Sequence, residues 1–279
     1  MTRVDDPADL VLVARDVHFD WAGLPLHWVP GEPVGTHVLN VLHLLLPAGE
    51  RFFVDLFTQA LPRIADDDLA DQVRGFIGQE AMHARAHDEV LDVLRAAGID
   101  TRPYTDQVEW IFGWLLGGGW EGQGLVERLA VVAAIEHLTS VLGDWVLGAS
   151  ALDDADPVML DLLRWHGAEE VEHRCVAFDT LAHLDDSYLC RARARLLVAP
   201  VLTWLWARGA LFLTAADPTC PRRARWSDWL RLGGRGLVPD PFAMAWQVAR
   251  WFRPGYHPSQ DGSTARAVAY LGTSPAANR

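Results

Sequence analysis

Residues 165–173 read WHGAEEVEH. On a helix, positions three and four apart share a face, so His166, Glu170 and His173 project one way while Glu169 and Glu172 point elsewhere. The segment FIGQEAMHARAH repeats the arrangement, with Glu80-x-x-His83 followed one turn later by His87 on the same side. Two more acids, Glu50 in LLLPAGERFFV and Glu136 in LAVVAAIEHLTSVL, lie in apolar surroundings. Ionised groups are costly to bury unless they are paired or bind a metal. A helix that must face a core while carrying these groups therefore needs something opposite it that welcomes them.

Taken singly, each signal is weak. Glu50 would also suit the first turn of a helix, where the dipole favours an acid. Glu136 would serve as a paired or exposed helix residue, and a lone E-x-x-H arises by chance. Taken together they are one glutamate from each of two helices and an E-x-x-H from each of the other two. That is the ligand set of a carboxylate-bridged two-metal site inside a ferritin-like four-helix bundle. Four carboxylates balance two cations, two of them can bridge, and open positions remain for water or oxygen. The expected cofactor is a pair of iron ions, with manganese or a mixed Mn/Fe pair allowed and zinc less suited to a carboxylate-rich set without thiolates. Gln79 and Glu169, which precede two of the ligands, are expected to hold the opposite histidines by their distal ring nitrogens. His87 is a further supporting candidate. His137, offset by about 100° from Glu136, is expected to have a structural or supporting role.

The elements that must position these groups are all helical. Residues 1–35 contain Pro, Gly and scattered aromatics without sustained period and read as an extended arm. Thr36 is expected to cap a first helix, which Pro47 should kink or split, leaving Glu50 in the first turn after the break. A second helix runs from about 67 to 97, with acids at its start and Gly98 at its end. The Gly- and Trp-rich WLLGGGWEGQG lacks the ending of a phosphate loop and reads as a flexible link or lid. Third and fourth helices are expected over 125–147 and 156–183. The resulting architecture is an all-α bundle over 36–186, an apolar, Arg- and Trp-rich helical layer over 187–260 packed on it, and a tail over 261–279, with fraying expected from Gly255 onward.

Composition narrows the function. The net charge of −13 argues against nucleic acid as a partner. Three cysteines, Cys175, Cys190 and Cys220, are too few and too irregularly spaced for a disulfide framework or a thiolate zinc site. The acidic N-terminus lacks the apolar run of a secretory signal, so a soluble cytoplasmic protein is expected. Residues 191–253 hold eleven arginines against three aspartates, together with six of the thirteen tryptophans. They read as a packing layer, or as a peripheral contact with the inner membrane face or an acidic partner.

The phrases PAGERFF, FIGQEAMHARAH, AAIEHLT and WHGAEEVEHRCVAFD resemble the bacterial family of predicted metal-dependent hydrolases, from FDWAGLPLHWVPGEP to about residue 260. That resemblance implies a ferritin-like fold. At the metal ligands only, the H-x-x-x-E-x-x-H spacing is similar to that of p-aminobenzoate N-oxygenase and related arylamine oxygenases. There the extra histidine binds iron, which the resemblance implies for His166; a core or supporting histidine is the alternative. The leading expectation is a di-iron oxidoreductase that activates dioxygen to oxygenate or desaturate an apolar small molecule, with N-oxygenation as a special case. Its electrons would come from an external donor protein, and a homodimer is allowed. The alternatives are a dimetal-dependent hydrolase and non-enzymatic iron or oxygen handling.

Overall fold

A computed structural model of the chain describes residues 11–116 and 124–278; the stretch 117–123, most of the expected Gly-rich link, lies outside them. Among the described residues there is no strand. The helices are α1 (Pro33–Ala60), α2 (Asp67–Ala96), α3 (Arg102–Leu116), α4 (Leu125–Gly148), α5 (Pro157–His173), α6 (Val176–Leu184), α7 (Tyr188–Ala216), α8 (Trp226–Gly234), α9 (Pro241–Arg250) and α10 (Thr264–Leu271). Helix α1 packs along α2 and α4 along α5, and the two pairs meet through α1–α4 and α2–α5 to make a four-helix bundle. Helix α3 covers α1, while α7 lies against both α1 and α4.

Local chemistry sets the helix ends. Asp66 caps α2 by accepting from the Leu69 amide at 2.9 Å, and Asp156 caps α5 by accepting from the Val158 and Met159 amides. Each supplies an oxygen to amides that have no intrahelical partner. Gly98, at φ +91°, lets the chain turn left-handed after α2.

Several sequence expectations are corrected. Helix α1 begins at Pro33, whose fixed φ suits a first helical position. Thr36 is therefore inside the first turn, and its hydroxyl accepts from the Val29 amide instead. Pro47 does not split the helix, so Glu50 sits mid-helix rather than after a break. A proline there removes one backbone hydrogen bond at a cost of about 3 kcal/mol. Burial of Leu44, Phe52, Phe53, Leu56 and Phe57 on both sides holds the helix through it. The expected fourth helix is two helices, interrupted immediately after His173. There the buried Arg174 folds its guanidinium back onto the Val171 carbonyl and reaches Thr264.

Helix α3 was not anticipated, although Tyr104, Val108 and Phe112 recur every four residues and are all buried. The tail is not frayed either. Helix α10 packs on α5 and α4, and buried Asp161 accepts from Tyr270 Oη and Ser274 Oγ, each at 2.8 Å, and from the Ala276 amide at 3.0 Å.

The approach of α4 to α5 depends on two glycines. A methyl group on Gly167 would meet Val146 Cγ1 at 2.7 Å and Gly143 Cα at 2.9 Å, and one on Gly143 would collide with the Gly167 carbonyl. Gly167 directly follows His166. Gly143→Ala should destabilise the protein by about 1–3 kcal/mol, the usual cost of overpacking a close contact, as measured by urea unfolding; an unchanged midpoint would show that the helices can separate freely here.

Candidate metal centre

The four bundle helices bring all seven candidate ligands to one place. Glu50 comes from α1, Glu80 and His83 from α2, Glu136 from α4, and His166, Glu170 and His173 from α5, all of them buried. They form two adjoining groups: Glu50, His83 and His166, and Glu80, Glu136, Glu170 and His173. Within each group one donor atom per residue lies within 4.8 Å of every other.

His173 Nε2 is 3.3 Å from both Glu80 Oε1 and Glu136 Oε2, and 3.5 Å from Glu170 Oε2. His166 Nε2 is 2.9 Å from Glu170 Oε1 and 3.5 Å from Glu50 Oε1. His83 Nδ1 is 3.7 Å from Glu80 Oε1 and 3.8 Å from Glu170 Oε1. Glu170 thus turns one oxygen toward each group, and Glu80 Oε1 lies between His83 and His173.

The polar atoms at the centre are short of partners. Among the described residues, both oxygens of Glu50, Glu80 and Glu136, one of Glu170, and the inward nitrogens of His83 and His173 are buried without a hydrogen bond. Native interiors leave few polar atoms in that condition. No arginine forms an ion pair with any of the four glutamates among the described residues. A set of hard oxygen donors and imidazoles, orphaned around a common centre, fits a pair of divalent cations.

Electrostatics agree. Burial, reinforced by neighbouring glutamates, raises the Glu50 carboxyl well above its ordinary range. Burial likewise lifts Glu80 and Glu136 to about 8. For Glu170 burial acts in the same sense, but His173 and His166 outweigh it and hold the carboxyl well below the usual range. His173 is the reverse case: burial opposes its charge, while Glu170 and Glu136 raise it well above an ordinary histidine. Without cations the centre therefore retains protons, which metal binding would displace.

The outer contacts are ordered and cross the bundle. Gln79 Oε1 lies 3.1 Å from His173 Nδ1, and Glu169 Oε2 lies 2.9 Å from His83 Nε2. These are the cross-helix bonds the spacing suggested. Glu169 and Glu172, off the ligand face, are buried and hydrogen-bonded. Arg15 donates to Glu169 at 2.7 Å and to Glu172 at 2.9 Å, Trp165 Nε1 donates to Glu169, and Gln79 Nε2 donates to Glu172. His87 Nε2 is 3.2 Å from His166 Nδ1, and its other nitrogen is 2.8 Å from His43 Nδ1.

Sequence reasoning missed Arg15 and His43. His43 lies seven residues before Glu50, on the same helical face, which was an available signal. Nothing local marks Arg15. His137 turns away from the centre to Arg195, Trp251 and Tyr256 in the C-terminal layer. A separate cluster of His27, His37 and Asp217, also unforeseen, ties residues 11–32 to the end of α7.

A cavity of about 660 Å³ adjoins the centre. Its wall is almost wholly apolar, including Leu39, Leu46, Phe53, Ile135 and Leu138, and of the seven candidate ligands only Glu50 lines it.

A group whose folded pKa is raised binds more protons folded than unfolded, so its contribution to stability is lost as pH rises. The cation-free protein should accordingly lose stability from the ordinary carboxylate range up to about pH 8. Urea unfolding across that range should show a shallower fall in a Glu80→Gln, Glu136→Gln double variant. An identical slope in the variant would mean that these carboxyls are not protonated in the fold.

No curated protein and no solved structure matches the chain. The family described as predicted metal-dependent hydrolase matches residues 13–262, nearly the whole length and every residue of the centre. The chain belongs to the predicted metal-dependent hydrolase family.

Proposed function

We propose that this protein is an enzyme that holds two divalent cations with Glu50, Glu80, His83, Glu136, His166, Glu170 and His173, and uses them to hydrolyse an apolar organic substrate bound in the adjoining cavity. The observation that carries this reading is the set of orphaned, buried carboxylate oxygens converging from four helices. A bound cation pair would activate water at neutral pH and stabilise a developing oxyanion. The chain's own residues do the rest. Glu80 and Glu170, placed between the two groups, would hold the cations together with the other ligands, while Gln79 and Glu169 fix the ring orientations of His173 and His83, which keeps their inward nitrogens aimed at the centre. The His166–His87–His43 chain offers a buried route by which a proton can be shared away from the centre. The apolar walls exclude bulk water and orient the substrate with its reacting end at Glu50.

A second reading is dioxygen activation at a di-iron centre, in oxygenation or desaturation of the same apolar substrate, with electrons from another protein. The donor set favours it, since four carboxylates and three imidazoles without a thiolate suit iron. Metal identity and turnover separate the readings. Hydrolysis predicts oxygen-independent cleavage of apolar esters or amides by the zinc- or manganese-loaded protein. Dioxygen chemistry predicts oxygen consumption after ferrous loading, and iron storage predicts uptake of many irons per chain.

Glu80→Ala or Glu170→Ala should remove most of the bound metal, measured by elemental analysis of purified protein; two full equivalents retained in either variant would overturn the centre itself.

A further inference from the structure

The cavity does not end inside the bundle. Its inner wall is made by α1 and α4, and its outer wall by Pro200 and Thr203 of α7, Trp226 and Leu230 of α8, and Ala245 of α9, all of which are exposed. The three C-terminal helices α7, α8 and α9 therefore frame a mouth that leads from the surface to Glu50.

The surface around that mouth is unusually apolar. Trp226 and Leu230 are one turn apart on α8 and 67% and 56% exposed, and Phe242 and Trp246 are one turn apart on α9 and 75% and 60% exposed. On α7, Leu197, Val201 and Trp204 are exposed at helical spacing. That helix is long and apolar enough to cross a membrane, yet only 28% of its most apolar stretch is buried. Contiguous exposed apolar surface of this kind marks an interaction site, and Trp is the residue favoured at the boundary between hydrocarbon and water.

Charge selects the partner. The protein as a whole is acidic, but the acids of this layer are already committed. Asp217 accepts from His27 and His37, Asp228 from Arg222, and Asp240 from backbone amides at the start of α9. Arg223 and Arg225, just before Trp226 in the chain, are exposed and form no salt bridge among the described residues, and Arg253 lies over the Trp246 ring. Exposed tryptophans interleaved with uncompensated arginines complement an anionic lipid surface.

We propose that the α7–α8–α9 face docks on an anionic membrane surface and that the cavity opening there takes a lipid acyl chain, reactive end toward Glu50. This rests on the reading of the centre as the reacting end of the cavity, and narrows its substrate to a membrane-borne acyl compound. The cavity volume lies within the ordinary range for small-ligand sites, and its near absence of polar groups leaves nothing to recognise a hydrophilic substrate.

Docking is tested by co-sedimentation with phosphatidylcholine vesicles, with and without phosphatidylglycerol, and by quenching of tryptophan emission with brominated lipid. Both are run on metal-stripped and metal-loaded full-length protein, so that a silent metal centre leaves the docking result readable. The wild type should bind the anionic vesicles, with quenching, and release as salt rises. The Arg223→Glu, Arg225→Glu variant should bind about thirtyfold more weakly or worse, from the loss of two cations near the surface, and Trp226→Ala, Trp246→Ala should lose the quenching. Circular dichroism and melting checks that these surface variants remain folded. Leu42→Trp, which fills the cavity, should keep vesicle binding but lose uptake of a fluorescent polyene acyl chain. Failure of the wild type to bind anionic vesicles, equal binding by the variants, acyl uptake unaffected by Leu42→Trp, or a stable dimer in light scattering that shields Trp226 would each overturn the proposal, the last by giving the face to a second copy. Loss of docking alongside intact metal-dependent turnover of soluble esters would overturn this inference alone.

Discussion

Four carboxylates buried in the middle of a helical bundle constrain everything around them. Burial alone disfavours the charge of each, and none has an arginine to neutralise it among the described residues. The fold answers with three imidazoles at the same depth and a supporting shell of Gln79, Glu169, Glu172, Arg15 and His87. Those outer groups satisfy one another and the far side of each ring. They leave the inward-facing atoms unsatisfied, a pattern that suits cations at the centre. The opposing helices are drawn close to make this work, which is why Gly143 and Gly167 meet without side chains between them.

Polarity is sharply partitioned. Glu50 belongs to both the charged centre and the cavity wall, so it stands at the border between the cluster of carboxylates and imidazoles and an apolar space. Helix α1 makes this possible by running unbroken through Pro47 and placing apolar residues and Glu50 on one continuous rod. Helix α7 then forms part of the outer wall of the cavity, with Trp206 donating to the Val38 carbonyl of α1.

Much of this was legible in the sequence, and what was not has physical reasons. The E-x-x-H pairs and isolated glutamates were readable because charged residues in apolar helices break the expected pattern. Helical spacing then fixed which of them share a face, and the cross-helix bonds of Gln79 and Glu169 followed from their places one residue earlier. Spacing along one helix says nothing about what approaches from elsewhere, and so the partners of Glu172 could not be read from it. Arg15, 154 residues from Glu169, carries no local sign of its role. Pro47 misled because the rule for an isolated helix ignores the packing that sustains this one. Helix α3 was hidden beside a Gly-rich stretch, although its four-residue period was present. The end of α5 was missed because its cause, a buried arginine bonding back onto its own helix and out to α10, is tertiary.

Arg15 lies on a segment, residues 11–32, that has no helix of its own. Its guanidinium nonetheless touches the carboxylates that steady His83 directly and His173 through Gln79. The aim of two imidazoles from opposite helices is thereby delegated to one strap across the outside of the bundle. The orientation of both rings therefore depends on a contact made by a segment outside the four bundle helices.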